Sequence, residues 1–219
     1  MEEANFVLLW KEHYEKIDQS LAINKQLLKE ATNQKAQSAL RSVIWLKSGG
    51  IVIGILYLIL LAAALFVAFV HYSGAANYFI ISIGAIFLIN LKALFDYIKH
   101  IIWINNIDYD GSITVIQQQL TKLQLSMYRH TRVMFLQLPF WTTFYLNGNW
   151  FPQTVGWGYV VIQLLVTGLF TYWAYWFYKN LRVQNAHKKW VQMIIKGAGE
   201  KRVAKALAFY NEIEQFKLE

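Results

Sequence analysis

The chain has 219 residues, of which 56% are hydrophobic and only 16% are charged, and it contains no cysteine. About a quarter of the residues of an ordinary soluble domain are charged, so this composition argues against one. The absence of cysteine excludes a disulfide framework, a zinc–thiolate site and an iron–sulfur cluster. The net charge of +8 is compatible with binding to nucleic acid or to an anionic membrane surface.

Residues 1–48 predict an amphipathic helical arm. Its apolar side chains recur at spacings of four and three and form one stripe that includes a single asparagine: Trp10, Tyr14, Ile17, Leu21, Asn24 and Leu28. This heptad spacing is typical of helices that pack side by side, and one polar residue in the stripe can set their register. Two interpretations remain open: the stripe binds a partner protein or a second copy, or it packs on other helices of this chain.

Four apolar stretches in residues 49–178 predict four transmembrane spans, near 49–72, 75–92, 133–149 and 156–178. The clearest is Ile51 to Val70, twenty residues without a charge, a side-chain amide or a proline. About 20 such residues cross the hydrocarbon core of a bilayer as a helix. The first span begins with a GxxxG motif, Gly50 and Gly54, which predicts close packing against another helix. Pro139 marks the third span as bent.

The second and third spans are predicted to continue into a helical hairpin over residues 93–132. An apolar stripe leads out of the second span through Leu94, Ile98 and Ile101. A second stripe leads into the third span, and we expect one continuous helix from Ile113 to Leu146. The second stripe comprises Ile113, Ile116, Leu120, Leu123 and Met127.

The predicted tip of the hairpin, NIDYDGSITVIQ, resembles an EF-hand calcium loop that lacks both end residues. Asp108, Asp110 and Gly111 are in register, but Asn106 replaces the first acid and Gln117 replaces the closing glutamate. Two carboxylates with neutral partners bind calcium weakly. The alternative, which we favour, is a turn in which Asp110 or Ser112 caps the following helix.

A polar cluster is predicted at the inner edge of the second span. It consists of Asn90, Lys92, Asp96, Lys99 and His100, which are spaced about one helical turn apart. Ionisable residues near a membrane are candidates for function. The alternative is a salt-bridged helix exit whose lysines reach towards the headgroups. No metal site is predicted, because the histidines have no metal-binding spacing.

Residues 179–219 predict a helical tail with an apolar stripe of Val203, Leu207, Tyr210 and Ile213 after the break KGAGEK. We expect the arm, the hairpin and this tail to pack together.

The charge distribution predicts the topology. All 21 Lys and Arg and all 13 Asp and Glu lie in 1–47, 92–132 or 179–219, and the other two connections carry no formal charge. By the positive-inside rule, the three charged segments face the cytoplasm. The sequence therefore predicts an all-α integral membrane four-helix bundle with both termini inside, whose long second and third helices extend into a cytoplasmic helical bundle.

The stretch LLWKEHYEKIDQSLAINKQLLKEATNQKAQSALRSVIW resembles the start of a family of bacterial multi-span inner-membrane proteins. Members open with a Leu-Trp pair and the pattern L-x-x-S-L-x-x-N-x-x-L-L, which is matched here by Trp10, Ser20, Leu21, Asn24, Leu27 and Leu28. They are often encoded beside extracytoplasmic-function sigma factors. The resemblance implies a location in the bacterial inner membrane and a regulatory link to such a factor.

These features favour a non-enzymatic regulator or scaffold that contacts lipid and binds a cytoplasmic protein, or a second copy, through the arm. The alternative is a small transporter or membrane enzyme that uses Lys92, Asp96, Lys99 and His100. No catalytic serine motif or phosphate-binding loop occurs, and no cofactor is expected. Nucleic-acid binding is not expected, because membrane orientation accounts for the positive charge.

Overall fold

The computed structural model describes the backbone of residues 2–195 and 199–215 and the side chains of 10–195 and 199–212. Among these residues the fold is all-helical and contains no β-strand, as predicted. The α-helices are α1 (Glu2–Val70), α2 (Asn77–Asn105), α3 (Ile113–Met134), α4 (Trp157–Asn180), α5 (Lys189–Ile195) and α6 (Glu200–Gln215). Short 3-10 helices cover Gly74–Ala76, Phe135–Thr142 and Val183–Asn185.

Some predicted features extend beyond the described residues. The predicted arm starts at residue 1 and the predicted tail ends at residue 219. Residues 1, 196–198 and 216–219 and the side chain of Ile213 lie outside the described part, so the full tail stripe and the KGAGEK break are only partly described.

The predicted arm and the first span form a single helix. α1 runs for 69 residues without interruption, which corresponds to about 100 Å at 1.5 Å per residue. Nothing in this stretch breaks a helix, since it has no proline and Gly49 and Gly50 cost only about 1 kcal/mol each relative to alanine. The first residues of α1 are therefore connected to its apolar half by one continuous helix.

Within the described residues, three helical segments are long and apolar enough to cross a membrane: Trp10–Val70, Gly74–Asn105 and Trp157–Asn180. In the most apolar window of each, no more than 17% of the residues are buried inside the molecule. Such extensive apolar surface is not left exposed to water in soluble proteins.

The third predicted span, 133–149, has a different structure from the one predicted. α3 ends at Met134, a 3-10 helix with Pro139 inside it follows to Thr142, and turns lead from there towards α4. The prediction of a continuous helix from Ile113 to Leu146 is therefore wrong. The physical reason is Pro139, which cannot donate to the carbonyl of Phe135 and would clash with it in an α-helix.

Polar side chains join the apolar helices to this 3-10 segment. The hydroxyls of Ser82 and Thr143 lie 2.8 Å apart, and those of Thr142 and Thr167 lie 3.0 Å apart. Gln163 Nε2 donates to the carbonyl of Thr142 at 2.6 Å. Such bonds hold helices together where no water competes for the polar groups.

At the charged end, parts of α1, α2, α3 and α6 pack around one core, which we call the basal bundle. Its core residues from α1 are Ala36, Leu40 and Val43; α2 and the loop after it contribute Ile104 and Ile107; α3 contributes Ile113, Ile116, Leu120, Leu123 and Met127; and α6 contributes Val203, Ala206 and Tyr210. The predicted stripe of α3 thus faces inwards, and so do Val203, Leu207 and Tyr210 of the α6 stripe. α1 joins this packing only from about Lys29 onwards.

The inward face of α2 differs from the predicted one. Ile98 is exposed and Leu94 and Ile101 are only partly buried, whereas Asp96, His100 and Ile104 are buried. α2 is therefore rotated relative to its predicted stripe. The rotation satisfies the polar groups, because Asp96 and His100 find partners on α3.

Candidate functional site

The apolar stripe of the arm is exposed along its length. Asn24 is exposed, and the exposed fractions of the five apolar members are 59% for Trp10, 63% for Tyr14, 54% for Ile17, 49% for Leu21 and 42% for Leu28. The interpretation in which the stripe packs on other helices of this chain is therefore not the one that the structure adopts. The six side chains of this stripe form a free surface, which we call the arm face.

Asp96 is the centre of the predicted polar cluster. Its carboxylate accepts hydrogen bonds from the ammonium groups of Lys92 and Lys99, the latter at 3.0 Å. Nδ1 of His130 lies 3.3 Å from Asp96 Oδ2 and contributes a partner from α3. Asp96 is only 7% exposed, so these bonds carry more weight than surface ion pairs do.

Two members of the predicted cluster bond elsewhere. Nε2 of His100 pairs with the hydroxyl of Ser126 at 3.0 Å. Nδ2 of Asn90 donates to Gln137 Oε1 at 3.1 Å and to the carbonyl of Ile86. His100 remains close to the centre, since its ring is 6.1 Å from that of His130, but Asn90 belongs to the apolar half of the molecule.

Three buried ionisable residues near this cluster were not predicted: Lys47 of α1, His130 of α3 and Glu200 of α6. Nζ of Lys47 lies 4.2 Å from the centroid of the Tyr97 ring, and that ring packs against His130 at 4.9 Å. Oε1 of Glu200 accepts from the hydroxyl of Thr131 at 2.9 Å. Residues from α1, α2, α3 and α6 thus meet in one polar layer on top of the basal bundle.

A signal for these three residues is present in the sequence. Each continues an apolar stripe by one further step of three or four residues: Lys47 follows Val43, His130 follows Met127, and Glu200 precedes Val203. A charged residue in register with a core stripe faces inwards.

Burial shapes the electrostatics of this layer. It raises the pKa of Glu200, although the nearby Lys47 and the Thr131 hydroxyl partly oppose the shift. Burial also lowers the pKa of His130, against the hydrogen bond to Asp96. Lys47 Nζ, His100 Nδ1 and Glu200 Oε2 are buried without a hydrogen bond to any described group. Buried charges of this kind contribute little to net stability, so the layer is a candidate site for holding or moving protons.

The hairpin tip has the geometry of a capped turn. Asp108 Oδ1 accepts from the backbone N–H groups of Asp110 and Gly111 at 3.1 and 3.2 Å, and Ser112 caps α3 by accepting from Val115 N–H at 3.3 Å. A Cβ at Gly111 would lie 2.9 Å from Asp108 Oδ2, which explains the glycine.

Several groups of the calcium-like loop contact the rest of the protein. Lys29 Nζ donates to the carbonyls of Asp110 and Gly111. Gln117 donates to Asn211 of α6 at 3.0 Å, and Asn106 is the C-terminal cap residue of α2. Among the described residues, no group of three or more His, Asp or Glu could hold a metal ion. The loop therefore connects the hairpin to α1 at Lys29 and to α6 at Asn211.

The glycines of the GxxxG motif differ in their surroundings. A Cβ at Gly50 would lie 2.5 Å from Tyr97 Cε2, whereas one at Gly54 would be in ordinary contact with Leu94 at 3.8 Å. Gly50 thus allows α2 to approach α1 at the level where the Tyr97 ring contacts Lys47 and His130.

Comparison of the chain with protein-family models, curated proteins and solved structures finds no match.

Proposed function

We propose that the protein is a non-enzymatic scaffold or regulator of the bacterial inner membrane, which docks a cytoplasmic protein on the arm face. The observation that supports this proposal best is the exposure of the arm face, from Trp10 to Leu28. An amphipathic helix in a globular structure gains most of its stability by packing its apolar side. Here that side is free, so a partner would supply the missing contacts.

The direction of the arm face favours a separate partner. At about 100° per residue, the stripe through Leu21 and Leu28 is rotated by roughly 80° from the face of α1 that carries Ala36, Leu40 and Val43. A straight α1 therefore points the arm face sideways from the basal bundle. A partner could bind there without displacing α3 or α6.

The charge distribution supports a cytoplasmic partner. The arm is one of the three charged segments, and the positive-inside rule assigns these to the cytoplasm. The resemblance of the stretch around Trp10 and Asn24 to proteins encoded beside extracytoplasmic-function sigma factors makes such a factor the first partner to test. α1 would transmit changes in the membrane to that partner as a single rigid helix.

Site-specific photo-crosslinking in the native membrane tests this proposal. A photoreactive residue at Leu21 is expected to give a defined adduct with one other protein, and the same residue at Gln19, on the opposite side of the helix, is not. Leu21→Asp with Leu28→Asp should abolish the adduct formed from Ile17, whereas Gln19→Asp with Gln26→Asp should leave it. If the adducts contain only lipid, or only a second copy of this chain, the proposal that a different protein binds the arm face is refuted.

A second candidate function uses the polar layer. Asp96 is buried between Lys92, Lys99 and His130, an arrangement that suits a small transporter or membrane enzyme. In that case Asp96→Asn would abolish a transport or turnover activity while Leu21→Asp with Leu28→Asp leaves that activity unchanged. If the protein is a scaffold, Asp96→Asn should leave the adduct formed from Ile17 intact, and Leu21→Asp with Leu28→Asp should abolish it.

A further inference from the structure

A groove of about 520 Å³ runs between α2 and α3 on the outside of the basal bundle. Its lining includes three basic residues, Lys99, Lys122 and Arg129, together with Trp103, and contains no acidic residue. Its volume lies within the range of small-molecule sites, about 300–1,000 Å³.

The positive charge of the groove is only partly compensated. Lys99 is bonded to Asp96, but Lys122 and Arg129 form no ion pair with any side chain in 10–195 or 199–212. Nζ of Lys122 lies 4.7 Å from the ring centroid of Trp103, and Nζ of Lys99 lies 5.2 Å from it. The half-buried indole ring therefore attracts both ammonium groups to the side of the groove. This attraction opposes the repulsion between the two positive charges.

The chemistry of the lining selects the class of ligand. An unpaired guanidinium offers two parallel donors that match a phosphate, and ammonium groups add point charges. Thr121 and Gln118 also line the groove, and their side chains can donate hydrogen bonds. Basic pockets between helices on the positively charged side of a membrane protein bind acidic lipid headgroups, and Arg129 is at the end of the groove nearer the apolar helices.

We propose that the groove bounded by Lys99, Lys122, Arg129 and Trp103 binds a phosphate-bearing anion. This inference does not depend on the arm face. Two sources share the chemistry: the headgroup of an anionic phospholipid that reaches the groove from the membrane, and a soluble phosphate compound.

The experiment uses the full chain and has two parts, one for each probe. In the first, native mass spectrometry compares binding of phosphatidylglycerol and phosphatidylcholine to the protein in a neutral detergent. In the second, calorimetry measures binding of inorganic pyrophosphate. The groove variant is Lys122→Gln with Arg129→Gln, and its control is Lys11→Gln with Lys25→Gln, which removes the same charge from the exposed arm. Thr121→Glu is a second groove variant that adds a repelling charge at an exposed position.

Both groove variants are expected to weaken binding of one of the two probes by about 30-fold, because the first removes two basic residues near the anion and the second adds a repelling charge. The control should weaken binding by less than twofold. Loss for phosphatidylglycerol alone identifies a lipid, and loss for pyrophosphate alone identifies a soluble ligand. The proposal is overturned if neither probe binds, if binding of both survives in the groove variants, or if the control loses binding equally.

Discussion

Nδ1 of His130 lies 3.3 Å from Oδ2 of Asp96 and links α3 to α2 at the level where the apolar helices meet the basal bundle. The pair is buried and lies beside Tyr97. The Tyr97 ring also contacts Lys47, and it packs closely against Gly50 of α1. The polar layer is therefore a single unit that connects the packing of α1, α2 and α3.

Removing the charge of Asp96 should destabilise the fold. Asp96→Asn leaves Lys92 and Lys99 without their shared carboxylate, and its single amide oxygen replaces the two oxygens that Lys92, Lys99 and His130 share. We expect a loss of about 1–2 kcal/mol in the free energy of unfolding, measured by chemical denaturation in detergent. This is less than for a fully buried ion pair, because the Lys92 and Lys99 side chains are 44% and 41% exposed. Asp18→Asn on the exposed arm is the control and should change stability by less than about 0.5 kcal/mol. Equal stability of the two variants would show that the cluster is solvated.

Acid should destabilise the polar layer through His130. Its pKa is lowered from 6.5, so the folded state binds fewer protons than the unfolded state just below that pH. The contribution of His130 is fully present above pH 6.5 and is lost as the pH falls through the lower folded-state pKa. The groups that interact with it are Asp96, Lys47, Lys92, Tyr97 and His100.

Thermal unfolding between pH 7.5 and 5 measures this effect. The melting temperature of the wild type should fall more steeply with acid than that of His130→Gln, which cannot titrate. The slope of His187→Gln, which alters an exposed histidine, should match the wild type. A wild-type slope no steeper than that of His130→Gln would contradict a lowered pKa at this position.

Adding a methyl group at Gly50 should be costly, and at Gly54 it should not. Gly50→Ala forces the Tyr97 ring away from α1, and such overpacking costs about 1–3 kcal/mol. Gly54→Ala fits at 3.8 Å from Leu94 and gains up to about 1 kcal/mol in helix propensity. Denaturation of both variants in the same detergent gives the comparison. A Gly50→Ala protein as stable as Gly54→Ala would mean that Tyr97 has room to move.

Substitutions on the arm face should have little effect on the isolated chain. Leu21→Asp is expected to cost less than about 1 kcal/mol, mostly through helix propensity, because its side chain is 49% exposed. Leu40→Ala in the basal bundle, where Leu40 is 1% exposed, should cost about 2–5 kcal/mol. A large, concentration-dependent cost of Leu21→Asp would instead reveal self-association through the arm.

The sequence by itself determined the all-helical fold, the apolar helices and the inward stripes of α3 and α6. These features follow from local periodicity, because an apolar residue every three or four positions already defines a helix face. The apolar stripe of the arm follows from the same periodicity, but the sequence does not show whether other helices of the chain cover that stripe. Exposure depends on what the rest of the chain places next to the stripe, and the N-terminal part of α1 extends beyond the basal bundle.

Only the tertiary structure decided how the faces meet. It turned Asp96 and His100 inwards in place of Leu94 and Ile98, because His130 and Ser126 on α3 offer them hydrogen bonds. It also brought Lys47, His130 and Glu200 together from three helices that are far apart in sequence. The choice of which helix lies opposite each stripe comes from the simultaneous burial of several faces, and no single stretch of sequence contains that information.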